Sequence, residues 1–311
     1  MMEQFKALIV DKNEKDFSVQ VKNITLNELP QGDFLIKVYY SAINYKDGLA
    51  SIPNGKIVTT YPFIPGIDLA GVVVSSQDPR FREGDEIIAT SYEIGVSHYG
   101  GYSEYACIPG DWIVPLPENL TLMESMILGT AGITAALSIQ RLEDNGLSPE
   151  KGKVLVTGAT GGGGSLAVSM LSKRGYEVVA STGKIYEYSF LHKLGAKEII
   201  SREDVFNGKI KPLDKQIWAA AVDPVGGETL ASILSKIQYN GSVAVSGLTG
   251  GGSVPTTVFP FISRGINLLG IDSGIKNCRT RTKPQTHAIF NKLCCFFTDY
   301  FFINHFDPHH N

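Results

Sequence analysis

The chain has 311 residues, 43% apolar and 19% charged, which is enough material for a sizeable core and argues against disorder as its main state. Its 28 Lys and Arg stand against 31 Asp and Glu, a formal charge of −3, so no basic excess exists to neutralise phosphates and nucleic-acid binding as the main task is disfavoured. At about 150 residues per domain the length suggests two domains.

The first stretch, to about residue 120, reads as short strands with turn signals between them: Phe5 to Val10, Ser18 to Val21, Phe34 to Tyr40, Ala70 to Ser75, Glu86 to Thr90 and Tyr102 to Ile108. Regular short strands without long helices predict a compact β-rich barrel or sandwich. The texture changes at Pro115-Leu116-Pro117-Glu118, where helical patterns begin at Leu122 to Leu128 and Ala131 to Asn145. Strands follow at Val154 to Thr157, Glu177 to Ala180, Glu198 to Ile200, Ala219 to Asp223, Val243 to Ser246 and Ile266 to Ile271, separated by helix-length segments. That alternation predicts an α/β domain with a doubly wound parallel sheet. The expected division is 1–120, 121–273 and a separate tail, 274–311.

The tail differs in composition from the rest. Lys276, Arg279, Arg281, Lys283 and Lys292 face only Asp299 and Asp307, on a chain that is otherwise acidic. It also holds Cys278, Cys294 and Cys295 and most of the histidines. A metal site built from Cys294, Cys295, His305, His309 and His310 is disfavoured, because adjacent cysteines serve one tetrahedral ion poorly and the histidines share no helical face. A poorly ordered or aberrant terminus is the preferred expectation.

Nothing at Met1 to Lys6 has the charged-then-apolar pattern of a leader, and no uninterrupted apolar run approaches the roughly 18 residues that a membrane helix requires. Four cysteines without paired CxxC motifs make neither a disulfide framework nor a zinc ribbon. The expectation is a cytoplasmic protein with no membrane association.

Glycine is abundant and clustered. Val154-Leu155-Val156-Thr157 has the apolar, β-branched character of a buried strand, and it runs into Gly158-Ala159-Thr160-Gly161-Gly162-Gly163-Gly164-Ser165 and then the apolar helix Leu166 to Lys173. Glycines here let the chain turn tightly and let backbone N–H groups approach a pyrophosphate at the positive end of a helix. Strand, turn, helix and returning strand within about 25 residues is the context a dinucleotide site needs.

The end of the second strand bears on which dinucleotide. NAD sites place an Asp or Glu about 20 residues after the glycines, to accept hydrogen bonds from the ribose 2′-OH. Here the string is Ala180-Ser181-Thr182-Gly183-Lys184, with no carboxylate. Lys184 can meet a 2′-phosphate, and Arg202 after the next strand can add a second cation. Together these favour NADPH.

The glycine string also fits the pattern of short-chain dehydrogenases, but no tyrosine has Lys four positions later and a β-rich domain precedes the nucleotide fold. The chain instead resembles the zinc-free quinone oxidoreductase branch of the medium-chain dehydrogenase/reductase superfamily. The strings that carry the likeness are Ile43 to Asp47, Pro65 to Gly71, Phe81 to Glu86, Gly100 to Tyr105, Gly129 to Gly132 and Asp223 to Gly227. Asp78 to Phe81, Pro109 to Trp112 and Pro255 to Ile262 look like its YhdH/YhfP subgroup, which includes acryloyl-CoA reductase.

The resemblance implies a GroES-like catalytic domain, a Rossmann domain, a homodimer and NADPH as cofactor. Zinc-dependent relatives have Gly-His-Glu where this chain has Gly66-Ile67-Asp68, and a cysteine ligand near Asn44-Tyr45; no metal is expected. The implied reaction is hydride transfer to the activated C=C of an enoyl thioester or to a quinone, the small-molecule substrate, with hydrogen-bond donors aimed at the developing oxyanion. Tyr45 is the candidate catalytic and cofactor-binding residue.

By the same resemblance Thr160, Gly161, Gly162 and Gly163 and then Thr182, Gly183 and Lys184 hold phosphates and ribose. Arg202 binds the 2′-phosphate, Leu248 and Ile262 flank the nicotinamide, and Ser273 bonds near it. His98 reads as a loop residue rather than a base. The chain departs from the family in placing Gly163 at a bulky aliphatic position. It departs again in residues 274–311, which do not resemble the segment that completes the catalytic domain. A frameshifted or truncated reading frame would explain that tail, so a cofactor-binding protein with little turnover is the alternative.

Overall fold

The computed structural model describes residues 4–13 and 16–274. The expectations placed on the Cys/His-rich tail lie outside the described residues. The chain falls into two compact units, one running to Thr130 and the other spanning Ala131–Ser273.

In the first unit β1 (Gln4–Lys12) and β2 (Phe17–Thr25) pair as an antiparallel ribbon. They are followed by β3 (Phe34–Tyr40), the short helix α1 (Tyr45–Ala50), β4 (Asp68–Ser76), β5 (Glu86–Thr90), β6 (Tyr105–Ile108) and β7 (Ile113–Pro115). The last five strands form one antiparallel sheet in the order β6-β3-β4-β5-β7. Alternate residues of these strands, among them Phe34, Ile36, Leu69, Val73, Ile87, Ala89, Ala106 and Ile108, make one buried cluster. The sixth strand is shorter than its apolar pattern predicts, because Tyr102 and Glu104 donate their backbone N–H to Pro65 and Lys6 and Leu8 donates to Tyr102.

The signature pieces Asp78 to Phe81 and Pro109 to Trp112 meet in this unit: Arg80 pairs with Asp78 and with Asp111, and Asp33 accepts from the Gly110 N–H at 2.7 Å. These contacts tie the turn after β4 and the residue before β3 to the turn between β6 and β7.

The helix α2 (Leu122–Asp144) leads into β8 (Val154–Val156), α3 (Gly162–Lys173), β9 (Val178–Ser181), α4 (Tyr188–Lys193), β10 (Glu198–Ile200) and α5 (Arg202–Val205). The chain continues through β11 (Trp218–Asp223), α6 (Gly227–Lys236), β12 (Ile237–Val245), α7 (Phe259–Arg264) and β13 (Asn267–Gly270). These six strands form a wholly parallel sheet in the order β10-β9-β8-β11-β12-β13. Counted within the unit this is the doubly wound order 3-2-1-4-5-6, whose strand order reverses between its first and fourth strands, here β8 and β11. Every residue of β8, β9 and β11 is buried, as continuous apolar strands covered on both faces should be.

Several boundaries differ from the sequence expectation, and three of the differences have a visible cause. Helix α3 starts at Gly162 rather than Leu166, because the Ser165 N–H already donates to the Gly161 carbonyl at 2.8 Å. Strand β12 starts at Ile237, which pairs with Trp218, so backbone pairing extends it beyond its apolar stretch. The two helices expected around residue 129 form a single element interrupted at Gly129, where φ is 46° and ψ −154°. Length and composition would suit α2 to a membrane span, but that interruption and its burial, 61% of the apolar window, make it a core element among the described residues.

Candidate functional site

The end of β8 builds the first part of the site. The Gly161 N–H donates to the Gly158 carbonyl at 2.9 Å, closing the turn, and α3 opens on Gly162, Gly163 and Gly164. Helix starts leave backbone N–H groups without intrahelical acceptors, the arrangement that receives phosphate. The turn and the helix are in intimate contact: a β-carbon at Gly164 would lie 2.3 Å from the Gly158 carbonyl oxygen. Gly163 is different, with the nearest atom to its β-carbon position 3.9 Å away. A β-carbon would be accommodated there, so close packing does not require glycine at the position where this chain departs from the family pattern.

The second part comes from β9 and β10. The Thr182 hydroxyl lies 3.3 Å from that of Thr160 and accepts from the Lys184 N–H at 3.1 Å, which draws the two turns together. Ser201 caps α5 reciprocally with Asp204: the Asp204 N–H donates to the Ser201 hydroxyl at 3.2 Å and the Ser201 N–H to the Asp204 carboxylate at 2.9 Å. This puts Arg202 at the first position of α5, with its guanidinium against Gly183: a β-carbon on Gly183 would lie 2.9 Å from Arg202 Nε. Thr160, Thr182, Gly183, Lys184 and Arg202 therefore converge. Among the described residues neither Lys184 nor Arg202 has an acidic partner.

The remaining expected cofactor residues follow later strands. Leu248 comes after β12 and is 61% exposed, and Ile262 on α7 is 73% exposed. The Ser273 hydroxyl, after β13, accepts from the Thr134 hydroxyl of α2 at 2.7 Å.

In the first unit Tyr45 opens α1 and is 61% exposed, so it is not a tyrosine buried for packing. Its helix is fixed by Asp47, which accepts from the Asn44 N–H at 2.7 Å and from the Ile67 N–H at 2.9 Å. Asp68, fully buried, accepts from Asn44 Nδ2 at 2.7 Å, from the Thr130 N–H at 3.0 Å and from the Thr130 hydroxyl at 2.6 Å. The interruption at Gly129 lets this happen: a β-carbon there would lie 2.7 Å from the Asp68 carboxylate. Asp47 and Asp68 thus position the Asn44–Tyr45 segment; Asp68 is the one to which sequence reading gave no task. The available signal was a charged residue inside the otherwise apolar string Ile67-Asp68-Leu69-Ala70. His98 lies in a loop, its Nδ1 2.9 Å from the Tyr99 carbonyl and its ring edge-on to Trp112, and burial pushes its pKa down.

Burial raises the Asp68 carboxyl above 3.8, its hydrogen bonds from Thr130 and Asn44 oppose the shift, and Asp47 adds to it. The folded protein therefore binds more protons at this site than the unfolded chain. Its contribution is fully present at acid pH and is lost as pH rises through the folded value. In Asp68→Asn the amide oxygen can keep the donors at Asn44 and the Thr130 N–H while the Thr130 hydroxyl turns to accept, so this variant folds. Urea unfolding from pH 4.5 to 8 is expected to show the parent losing stability relative to Asp68→Asn as pH rises; a constant difference would refute the shift.

Two family models match the sequence: the alcohol dehydrogenase GroES-like domain over residues 30–118 and the zinc-binding dehydrogenase domain over residues 162–284. YhfP of Bacillus subtilis (strain 168) is 68% identical over 269 residues, 86% of this chain and 82% of that protein. Its crystal structure with NAD bound superposes with a TM-score of 0.89 at 63% identity, covering 94% of this chain and 88% of the other. Acrylyl-CoA reductase AcuI of Ruegeria pomeroyi is 48% identical over 271 residues, 86% of this chain and 82% of its own. Escherichia coli K-12 YhdH with bound NADPH superposes with a TM-score of 0.87 at 42% identity, covering 93% and 87% of the two chains.

The chain belongs to the zinc-independent YhdH/YhfP/AcuI-like family of medium-chain quinone oxidoreductases.

This is an oxidoreductase family that uses NAD(H)- or NADP(H)-type dinucleotides, and the glycine-lined cradle on β8 and α3 fits such a group. The fold is that of the family, a GroES-like β-rich domain followed by a Rossmann domain. Where zinc-dependent relatives carry the ligating histidine this chain has Ile67, which is buried, and no group of three His, Cys, Asp or Glu side chains among the described residues is placed to hold a metal ion.

Proposed function

We propose that the chain is an NADPH-dependent, zinc-independent reductase that transfers hydride to the activated C=C of an enoyl thioester of the acrylyl-CoA kind, or to a quinone. The observation that carries the cofactor choice is the packing of Arg202 on Gly183 beside Lys184, with no carboxylate at the end of β9. Two cations that have no acidic partner among the described residues suit a 2′-phosphate, and a missing acid forfeits the ribose hydrogen bonds that favour NAD. The 48% identity to a protein named acrylyl-CoA reductase supports the thioester as substrate.

Bound NADPH supplies the hydride for the β-carbon of the substrate. The chain's own residues bind and orient. Thr160 to Gly163 hold the pyrophosphate, Thr182 to Lys184 the ribose and Arg202 the 2′-phosphate. Leu248 and Ile262 pack on the nicotinamide, and Ser273, its hydroxyl fixed by Thr134, bonds to it. The Tyr45 phenol binds cofactor or substrate, or donates the proton. With Ile67 in place of a ligand, the carbonyl is polarised by hydrogen-bond donors rather than by a zinc ion. The reading includes a homodimer through the nucleotide unit, whose terminal strand β13 keeps Leu268 exposed.

The test follows cofactor absorbance with NADPH or NADH against acrylyl-CoA and a simple quinone. Faster loss with NADPH and the thioester is the expected result. A faster quinone reaction moves the assignment to quinones, and NADPH binding without turnover on either substrate favours a cofactor-binding protein.

A further inference from the structure

Asp223 closes β11 and is fully buried in the Rossmann unit, yet the dinucleotide reading gives it no task. Its carboxylate Oδ1 accepts from the Thr157 hydroxyl at 2.5 Å and from the Val225 N–H at 3.2 Å, and its Oδ2 accepts from the Gly226 N–H at 2.9 Å. Burial raises its pKa, and these hydrogen bonds oppose the rise. The three donors come from two different strand ends. Thr157 is the residue before the phosphate-side turn, whereas Val225 and Gly226 belong to the turn after β11. Between those two ends lies the reversal of strand order, the crevice in which doubly wound sheets take dinucleotides.

The second turn leads on to Leu248. The Gly250 N–H donates to the Val225 carbonyl at 2.7 Å, and the Ser246 N–H donates to the Asp223 carbonyl at 3.0 Å. The segment 246–250 is thereby bound on both sides of Leu248 to the turn that the Asp223 carboxylate organises. On the other side, a β-carbon at Gly158 would be in ordinary contact with Pro224 and Val225, at 3.4 and 3.5 Å, so the two turns abut.

We infer that Asp223 is a positioning residue for the cofactor: it ties the pyrophosphate turn at Thr157–Gly161 to the loop that carries Leu248, and so sets the distance between the pyrophosphate and nicotinamide subsites. The inference rests on the dinucleotide reading given above. It predicts that loss of the tie weakens binding of the whole dinucleotide but spares a ligand held only by the β9–β10 side.

Asp223→Asn is the informative change. Its shape is kept, but both oxygens of Asp223 face backbone N–H groups that cannot reverse, unlike the Thr157 hydroxyl. Either orientation of the amide therefore turns its NH2 toward one backbone donor. Titration of the full-length chain with NADPH is expected to give a Kd raised about tenfold in Asp223→Asn, while adenosine 2′-phosphate, measured by competition with NADPH, keeps its affinity within about twofold. Should Asp223→Asn fail to fold, Thr157→Val removes one contact and is expected to raise the NADPH Kd about threefold, with Thr157→Ser restoring it.

An unchanged NADPH Kd in a folded Asp223→Asn or Thr157→Val variant overturns the tie alone. Equal weakening of NADPH and adenosine 2′-phosphate also overturns it, since that is what general loss of structure would do. Absence of NADPH binding by the unaltered chain overturns the dinucleotide reading and the tie with it.

Discussion

Replacing Arg202 by Ala is expected to lower kcat/KM for NADPH by about 10- to 100-fold, the range for a charged hydrogen bond to phosphate, and to leave the value for NADH within about twofold. The side chain is exposed but lies against Gly183, where a β-carbon would meet Arg202 Nε at 2.9 Å, which places its guanidinium beside the Thr182–Lys184 turn. Lys184 is an exposed point charge on a flexible stem, and Lys184→Ala alone should cost NADPH only about threefold. Steady-state kinetics with both cofactors decide the matter. A parallel loss for NADPH and NADH would mean that Arg202 shapes the loop instead of reading the 2′-phosphate.

Adjacent glycines of one helix start are expected to respond with opposite signs. At Gly164 a β-carbon meets three backbone atoms, the Gly158 oxygen at 2.3 Å, the Gly158 carbonyl carbon at 2.8 Å and the Ala159 Cα at 2.9 Å. None of these can rotate away, so Gly164→Ala must lift α3 off the turn. The expected cost is about 2–4 kcal/mol of stability, with loss of NADPH binding as the phosphate N–H groups separate. At Gly163 the surroundings are open, and Gly163→Ala should gain up to about 1 kcal/mol because alanine is the better helix former. Thermal unfolding of the two variants, with NADPH titration, checks both. A destabilised Gly163→Ala would show that the space beside that residue is not free.

Much of the dinucleotide half was legible in the chain. An apolar β-branched run, a glycine string, an apolar helix and a strand ending without an acid are local signals, because a parallel strand buried on both faces and a tight phosphate turn each restrict residue type over a few neighbouring positions. The pause at Gly129 was legible too, as the gap between two helical patterns. Less could be read where apolar pattern and backbone pairing part company, as at residues 102–104, whose hydrogen bonds go to segments far off in sequence.

The buried carboxylates lie at the other extreme. Asp68 meets Asn44 and Thr130 across 24 and 62 residues of sequence, and Asp223 meets Thr157 across 66. No window of sequence contains both members of such a pair, so a buried acid reads only as an unexplained charge in an apolar string. The sequence by itself determined the two kinds of domain, the family, the glycine cradle and the absence of a zinc ligand at Ile67, because each depends on residue identity at short spacing. Only the tertiary structure decided that Arg202 rests on Gly183, that Gly164 but not Gly163 is closed in, and that two buried carboxylates organise the turns. Those relations depend on which strand ends the sheet order makes neighbours.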